Sequence, residues 1–307
     1  MTIETAWLRG CATALVTPFT RDGEVDKQRL LNLIEYQITN GVRLLVACGT
    51  TGESATMSED EDDFVIRTTV EAAAGRAKVI AGTGSNSTAA AIDYSKRAQA
   101  AGVDAILVVA PYYNKPTQEG LYVHFRTIAE SVGKLPVVIY NVPGRTSSNI
   151  SAETTLRLAR DVENIVGVKE ASGNLSQIME ILRSRPENFN VISGDDSLTL
   201  ALIALGGDGL ISVAANEAPG EMSRMVDLAI AGQWDEARAL HYHLLPLMDV
   251  NFVESSPGPV KAALAMMGII EENFRLPLVP VQSKTRDQVR NVLIELGLLK
   301  EASHAIA

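Results

Sequence analysis

The sequence is short of several things at once. Cysteine occurs only twice in 307 residues, at Cys11 and Cys48. Each sits in an apolar run and makes neither a disulfide framework nor a metal-ligand pattern. They read as small buried hydrophobes in a reducing compartment. The four histidines, His124, His241, His243 and His304, show no HExxH or comparable spacing. His241 and His243, two apart, would diverge on a helix, so no metal site is expected. Basic residues are in the minority and the formal net charge is −10. Nucleic acid as a main partner calls for a basic face and is not expected. No apolar run approaches the length of a membrane-spanning helix, and Met1-Thr2-Ile3-Glu4-Thr5 lacks the basic-then-apolar pattern of a signal segment. These absences lead us to expect a cytoplasmic protein with no membrane partner. No low-complexity tract or linker interrupts the chain, and its length suits one continuous unit.

What is present is a rhythm. Eight short apolar runs recur: Cys11–Val16, Leu44–Cys48, Lys78–Ala81, Ala105–Ala110, Pro136–Tyr140, Ile165–Lys169, Asn190–Ser193 and Gly209–Val213. Most are too short for helices and rich in Val and Ile, so they read as strands buried on both faces. Amphipathic segments lie between them. Asp26–Asn40 places Leu30, Leu31, Ile34 and Ile38 on one face and stops at Gly41. Ser58-Glu59-Asp60-Glu61 has the capping-box pattern before a helix toward Ala74. Ser87–Ala101 ends at Gly102, and Thr117–Val132 at Gly133.

Strand–helix alternation repeated eight times predicts an α/β fold, a (β/α)8 TIM barrel. An open doubly wound sheet would usually carry GxGxxG after its first strand, and none follows Cys11–Val16. Gly82-Thr83-Gly84 lacks the third glycine and reads as a tight turn. After the eighth run, Glu221–Ala231, Trp234–Val250, Pro259–Met267 and Thr285–Leu298 read as helices. One completes the eighth unit and the others form an appended C-terminal helical layer. The expected division is a barrel over 1–225 and an extension over 226–307.

In a barrel the active site lies at the C-terminal ends of the strands. There this chain is polar. The second run ends in Gly49-Thr50-Thr51-Gly52-Glu53-Ser54, the fourth in Tyr112-Tyr113-Asn114-Lys115, the fifth in Tyr140-Asn141-Val142-Pro143-Gly144-Arg145, and the sixth in Lys169-Glu170-Ala171-Ser172-Gly173. Taken alone, Lys169 is explained by a lysine that snorkels to water or pairs with Glu170. Tyr140 alone is explained as core, Thr50-Thr51 as turn and cap, and Arg145 as a surface salt-bridge partner. Together, at successive strand ends, they predict a cup into which Lys169 points, facing Thr50, Thr51, Tyr113, Tyr140 and Arg145.

Desolvation disfavours a charged amine and lowers its pKa. An ordinary lysine is neutral at pH 7 about once in a few thousand molecules. A depressed one is a nucleophile for carbonyl carbon, and the resulting iminium is an electron sink beside which a carbanion equivalent forms. Tyr140 fits a proton shuttle, Thr50 and Thr51 a relay or carboxylate cradle, and Arg145 a bidentate carboxylate grip. The set describes a Schiff-base aldolase acting on an α-keto acid and an aldehyde. A catalytically dead barrel used for binding would have lost Lys169 or Tyr140.

Four motifs carry a resemblance: Gly49–Ser54, Pro111-Tyr112-Tyr113-Asn114-Lys115-Pro116-Thr117-Gln118-Glu119-Gly120, Tyr140–Thr146 and Gly167-Val168-Lys169-Glu170-Ala171-Ser172-Gly173-Asn174. From about Gly10 to its C-terminus the chain resembles the dihydrodipicolinate synthase family of pyruvate-dependent aldolases. The resemblance implies condensation of pyruvate with aspartate semialdehyde, on the route to lysine and diaminopimelate, with no cofactor beyond the covalent Schiff base. It implies that Lys169 carries that Schiff base and Tyr140 shuttles protons, with Thr50 and Thr51 as relay and pyruvate-carboxylate contact. It implies that Gly194 and Ile211 line the pyruvate pocket and that Arg145 binds the carboxylate of the semialdehyde. It also implies a homotetramer, a dimer of dimers, in which Tyr113 reaches the neighbouring subunit's site.

Related N-acetylneuraminate lyases and keto-deoxy sugar-acid aldolases share the lysine and tyrosine but generally lack the arginine. Arg145 therefore favours the synthase, because a neutral sugar leaves a guanidinium unpaired. Many family members are inhibited by lysine at a dimer-interface site. Here it would comprise Ser54, Ala55, Glu59, Asp62, Asn86, Ala90 and Tyr112. Sensitive bacterial enzymes carry glutamate at the position of Ala90, so weak or absent lysine inhibition is expected.

Overall fold

The computed structural model describes residues 3–300. Residues 301–307, the end of the expected extension, lie outside the described residues, as do Met1 and Thr2. Eight parallel strands close into a barrel in chain order: β1 (Gly10–Ala14), β2 (Leu44–Ala47), β3 (Lys78–Gly82), β4 (Ala105–Val109), β5 (Val137–Asn141), β6 (Ile165–Glu170), β7 (Asn190–Ser193) and β8 (Gly209–Ser212). The eight runs read from the sequence are these eight strands. Helices α1 (Lys27–Thr39), α2 (Glu59–Ala73), α3 (Thr88–Ala100), α4 (Gln118–Ser131), a short α5 (Pro143–Thr146), α6 (Ala152–Asp161), α7 (Leu175–Ser184) and α8 (Thr199–Ala204) surround them. Asp26 caps α1, Ser58 and Glu61 close the capping box of α2, and Ser87 and Thr117 cap α3 and α4.

Apolar residues face two ways, as a strand buried on both faces requires. Ala12, Val46, Ile80, Leu107, Val138, Ile192 and Ile211 fill the barrel. Leu45, Val79, Ile106, Ile139 and Val168 point outward against the helices. Helix α9 (Pro219–Ile230) packs on β1 and β8. With α10 (Trp234–Val250) and α12 (Ser283–Glu295) it forms a second apolar core that takes in Cys11 and Leu210. Helix α11 (Gly258–Met266) lies among them, and Ser256 just before it reaches the mouth of the barrel.

One irregularity decides where the chemistry points. Between β5 and β6, Val137 pairs with Ile165 but Val138 pairs with Gly167, so β6 carries one extra residue, Val166. In a regular ladder, inward-facing Tyr140 would pair with Val168, and Lys169 would face the helices. A one-residue shift exchanges the faces of a strand. With the bulge, Tyr140 pairs with Lys169 and both project inward, while Val168 packs outward.

Candidate active site

At the C-terminal ends of the strands lies a cavity of about 720 Å³. Thr50, Thr51, Tyr140, Arg145, Lys169 and Gly194 line it. Lys169 is only 6% exposed, and its Nζ lies 4.3 Å from the centre of the Tyr140 ring. Desolvation, with a smaller push from the Arg145 charge, lowers its pKa to about 8 against the opposing pull of Asp196. Burial raises the Tyr140 hydroxyl to about 12, with Arg145 opposing. A poised amine therefore stands beside a phenol that keeps its proton.

Glu170 does not neutralise the lysine. Its carboxylate points the other way and accepts from Asn141 Nδ2, the Ser172 amide at 2.8 Å and Gln177 Nε2. The sequence-level pairing of Lys169 with Glu170 is thereby excluded. The Lys169 stem needs a bare backbone opposite it. A Cβ on Gly194 would lie 2.9 Å from Lys169 Cε and 2.8 Å from Ala171 Cβ. Gly82 serves the floor of the cavity similarly, since a Cβ there would meet the Cys48 carbonyl oxygen at 2.3 Å.

The Thr50–Gly52 segment is a single 3-10 turn bracketed by left-handed backbone at Cys48 and Glu53, with φ of 54° and 57°. Such conformations in non-glycine residues concentrate at functional sites. Arg145 stands exposed at the mouth, on α5, and no salt bridge among the described residues includes it. It is a free guanidinium facing an open cavity.

Four predicted positions lie off this cavity. Tyr113 is not in the cup of its own chain. It is 89% exposed, turned outward by left-handed backbone at Tyr113 and Lys115. Ile211 is buried inside the barrel in the same cluster as Tyr140 and Ile192, not on the cavity wall. Of the candidate effector residues, Ser54, Ala55, Glu59, Asp62 and Tyr112 line the same cavity as Lys169, whereas Asn86 and Ala90 do not. Sequence reasoning also passed over Asp196, which is 2% exposed, lines the cavity and is anchored by the Val213 and Ala214 amides at 3.0 and 3.2 Å. Its signal was the polar Asp195-Asp196 pair after an apolar strand.

Comparison with known proteins agrees with this arrangement. The Dihydrodipicolinate synthetase family profile matches residues 7–296. The chain belongs to this family. It is 56% identical to 4-hydroxy-tetrahydrodipicolinate synthase of Koribacter versatilis, covering 97% of this chain and 99% of that one. Dihydrodipicolinate synthase from Aquifex aeolicus superposes with a TM-score of 0.93 at 47% identity, covering 95% of this chain and all of that one. The Cyanidioschyzon merolae enzyme with lysine bound gives 0.93 at 42% identity, over 95% and 99% of the two chains. As a member of the dihydrodipicolinate synthetase family, the chain has its cavity where that barrel's chemistry belongs.

Proposed function

We propose that this chain is 4-hydroxy-tetrahydrodipicolinate synthase, a lyase that joins pyruvate to aspartate 4-semialdehyde through a Schiff base on Lys169. The observation that carries the reading is the inward pairing of Lys169 with Tyr140, the amine lowered to about 8 within reach of the phenol. Neutral Nζ attacks the keto carbon of pyruvate, and water leaves as the iminium forms. Loss of a methyl proton gives the enamine, whose carbon attacks the aldehyde of the second substrate. The amine of that substrate then displaces Lys169 from the iminium carbon, closing the ring and freeing the enzyme. Every electron pair stays within the two substrates and Nζ, so no redox partner or further cofactor is called for.

Placement supports the roles that the resemblance implies. Thr51 holds the pyruvate carboxylate and Thr50 relays protons to Tyr140. Arg145 receives the carboxylate of the semialdehyde at the mouth. Tyr113 serves the site of a neighbouring copy in a homotetramer. A solvent-facing aromatic on left-handed backbone supports that role, because it is an unfavourable arrangement for an isolated surface. Two buried unpaired thiols suit the cytoplasm, where lysine and diaminopimelate synthesis takes place.

A coupled assay with pyruvate and aspartate semialdehyde tests the reading, with sugar aldehydes as the competing second substrate. Turnover of the semialdehyde is expected, and preference for a sugar aldehyde would instead select a sugar-acid aldolase. Arg145→Ala is expected to raise KM for the semialdehyde about 10- to 100-fold, in line with roughly 1.5–3 kcal/mol for a charge-assisted hydrogen bond. KM for pyruvate should move far less, through loss of the small push that Arg145 exerts on the Lys169 amine. An equal rise for both substrates would show that Arg145 does not choose the partner.

Lysine is expected to inhibit weakly or not at all. Besides Ala90, the two carboxylates among the candidate effector residues are poor partners for an ammonium. Glu59 already pairs with Arg97 at 3.7 Å, and desolvation raises Asp62 to about 7. Half-inhibition at submillimolar lysine near pH 7 would contradict this.

A further inference from the structure

The C-terminal layer places one charge inside the barrel's rim. Lys261 of α11 is fully buried. Its Nζ donates to Glu53 Oε1 and to the Thr17 carbonyl oxygen at 3.1 Å, and it sits over the rings of Phe19 and Phe274 at 4.5 and 4.9 Å. Glu53 is 4% exposed and its Oε2 has no partner, so Lys261 is its only side-chain hydrogen-bond donor among the described residues. A buried ion pair of this kind is weak evidence for stability, since apolar residues of similar volume often serve as well. Its position points elsewhere.

Glu53 directly follows the Thr50–Gly52 turn, and its own amide donates to the Thr50 carbonyl oxygen at 3.2 Å. Thr17, the second acceptor of Lys261, donates its hydroxyl to the Gly52 carbonyl oxygen at 2.7 Å. Both arms that leave Lys261 therefore end on the turn that carries Thr50 and Thr51. The turn is also closely seated: a Cβ on Gly52 would lie 3.2 Å from the Leu15 carbonyl oxygen and 3.3 Å from Thr17 Oγ1. Left-handed backbone on either side, at Cys48 and Glu53, gives it reason to relax once the clamp is released.

We propose that Lys261 is a positioning residue for the reaction, holding the Thr50–Thr51 turn against the cavity through Glu53 and Thr17 and so tying the C-terminal layer to the geometry at Lys169. This rests on the reading of Lys169 as the Schiff-base lysine and of the turn as its pyruvate contact. A displacement of about 1 Å at a positioned group costs on the order of 100-fold in rate. Releasing the turn therefore lowers kcat and raises KM for pyruvate. It leaves KM for the semialdehyde alone, because Arg145 stands on α5, apart from the clamp.

The full chain tests this with the double variant Lys261→Met/Glu53→Gln, which leaves no buried unpaired charge, and with Thr17→Val and Thr17→Ser. Folding is followed by circular dichroism, the pyruvate adduct by borohydride trapping and mass, and turnover with both substrates varied. For the double variant and Thr17→Val, kcat is expected to fall by about 10- to 100-fold with KM for pyruvate raised, and Thr17→Ser is expected to restore both. Folded variants with unaltered kcat and KM overturn the proposal. So does a loss of kcat that tracks the folded fraction with both KM values unmoved. If the double variant does not fold, Glu53→Gln alone decides the matter, because it alters the Lys261 arm to the turn and leaves the Thr17 arm in place. Absence of an adduct in the unmodified protein would instead remove the reading of Lys169 and this proposal with it. An adduct there, with variants that match it, removes the clamp alone.

Discussion

Lys169→Met is expected to abolish turnover and the pyruvate adduct while making the protein more stable. Borohydride with pyruvate adds the mass of one reduced pyruvate to the unmodified chain and nothing to the variant. Lys169→Arg should be equally dead, because a guanidinium is not neutral at any working pH. An adduct that persists in either variant would place the nucleophile elsewhere. The pH dependence follows from the amine. With its pKa lowered to about 8, about one molecule in ten carries a neutral amine at pH 7. The rate of adduct formation should therefore climb with pH and level off above about 8. A plateau reached only near pH 10 would mean that the cavity does not desolvate the amine.

The stability gain has the same origin. In the unfolded chain the amine holds its proton up to an ordinary 10.5, whereas in the fold it holds it only to about 8. The unfolded state thus binds more protons between those values, and stability rises with pH through that window. Below pH 8 the full penalty applies, roughly 3 kcal/mol at about 1.4 kcal/mol per pKa unit. Methionine fills the same volume without charge, so Lys169→Met should melt a few degrees higher at pH 7. Equal or lower melting would show that Asp196 compensates the buried charge completely.

How far the sequence carried this reading depends on the range of the forces involved. All eight strands were legible because burial on both faces leaves continuous apolar runs. Helices α1 to α4 were legible because their caps are local: Asp26, Ser58, Ser87 and Thr117 each bond an amide within the next three residues. Lys169, Tyr140, Thr50, Thr51 and Arg145 were brought together because each stands at or just past the C-terminal end of a strand, and barrel closure places all strand ends on one rim. The misses are non-local. The bulge at Val166 that aims Lys169 inward depends on pairing with β5, which a single strand does not reveal. The outward turn at Tyr113 depends on positive φ in residues whose side chains do not announce it. Lys261 stands in the apolar stretch Gly258–Met266 as Lys169 stands in β6, and the same question applied to it would have flagged a second buried lysine. Its partner, Glu53, is 208 residues away.

Tyr140→Phe separates the proton shuttle from everything else the residue does. The ring packs in the barrel interior and lies beside Lys169 Nζ, and phenylalanine keeps both contacts. Only the hydroxyl is lost, so the variant should fold normally. With burial raising that hydroxyl to about 12, only about one molecule in 100,000 is ionised at pH 7. The phenol therefore begins each cycle as a proton donor. In the proposed reaction it supplies the proton that lets water leave during iminium formation, and recovers one as the enamine forms. Losing a positioned acid–base group costs about 100- to 10,000-fold, so kcat should fall within that range. The nucleophile is untouched, so prolonged borohydride trapping should still label Lys169, only more slowly. Slow labelling with depressed turnover marks a shuttle. Normal turnover would reduce Tyr140 to a packing residue, and complete absence of labelling would mean that the hydroxyl is needed to hold pyruvate in place and does more than move its protons.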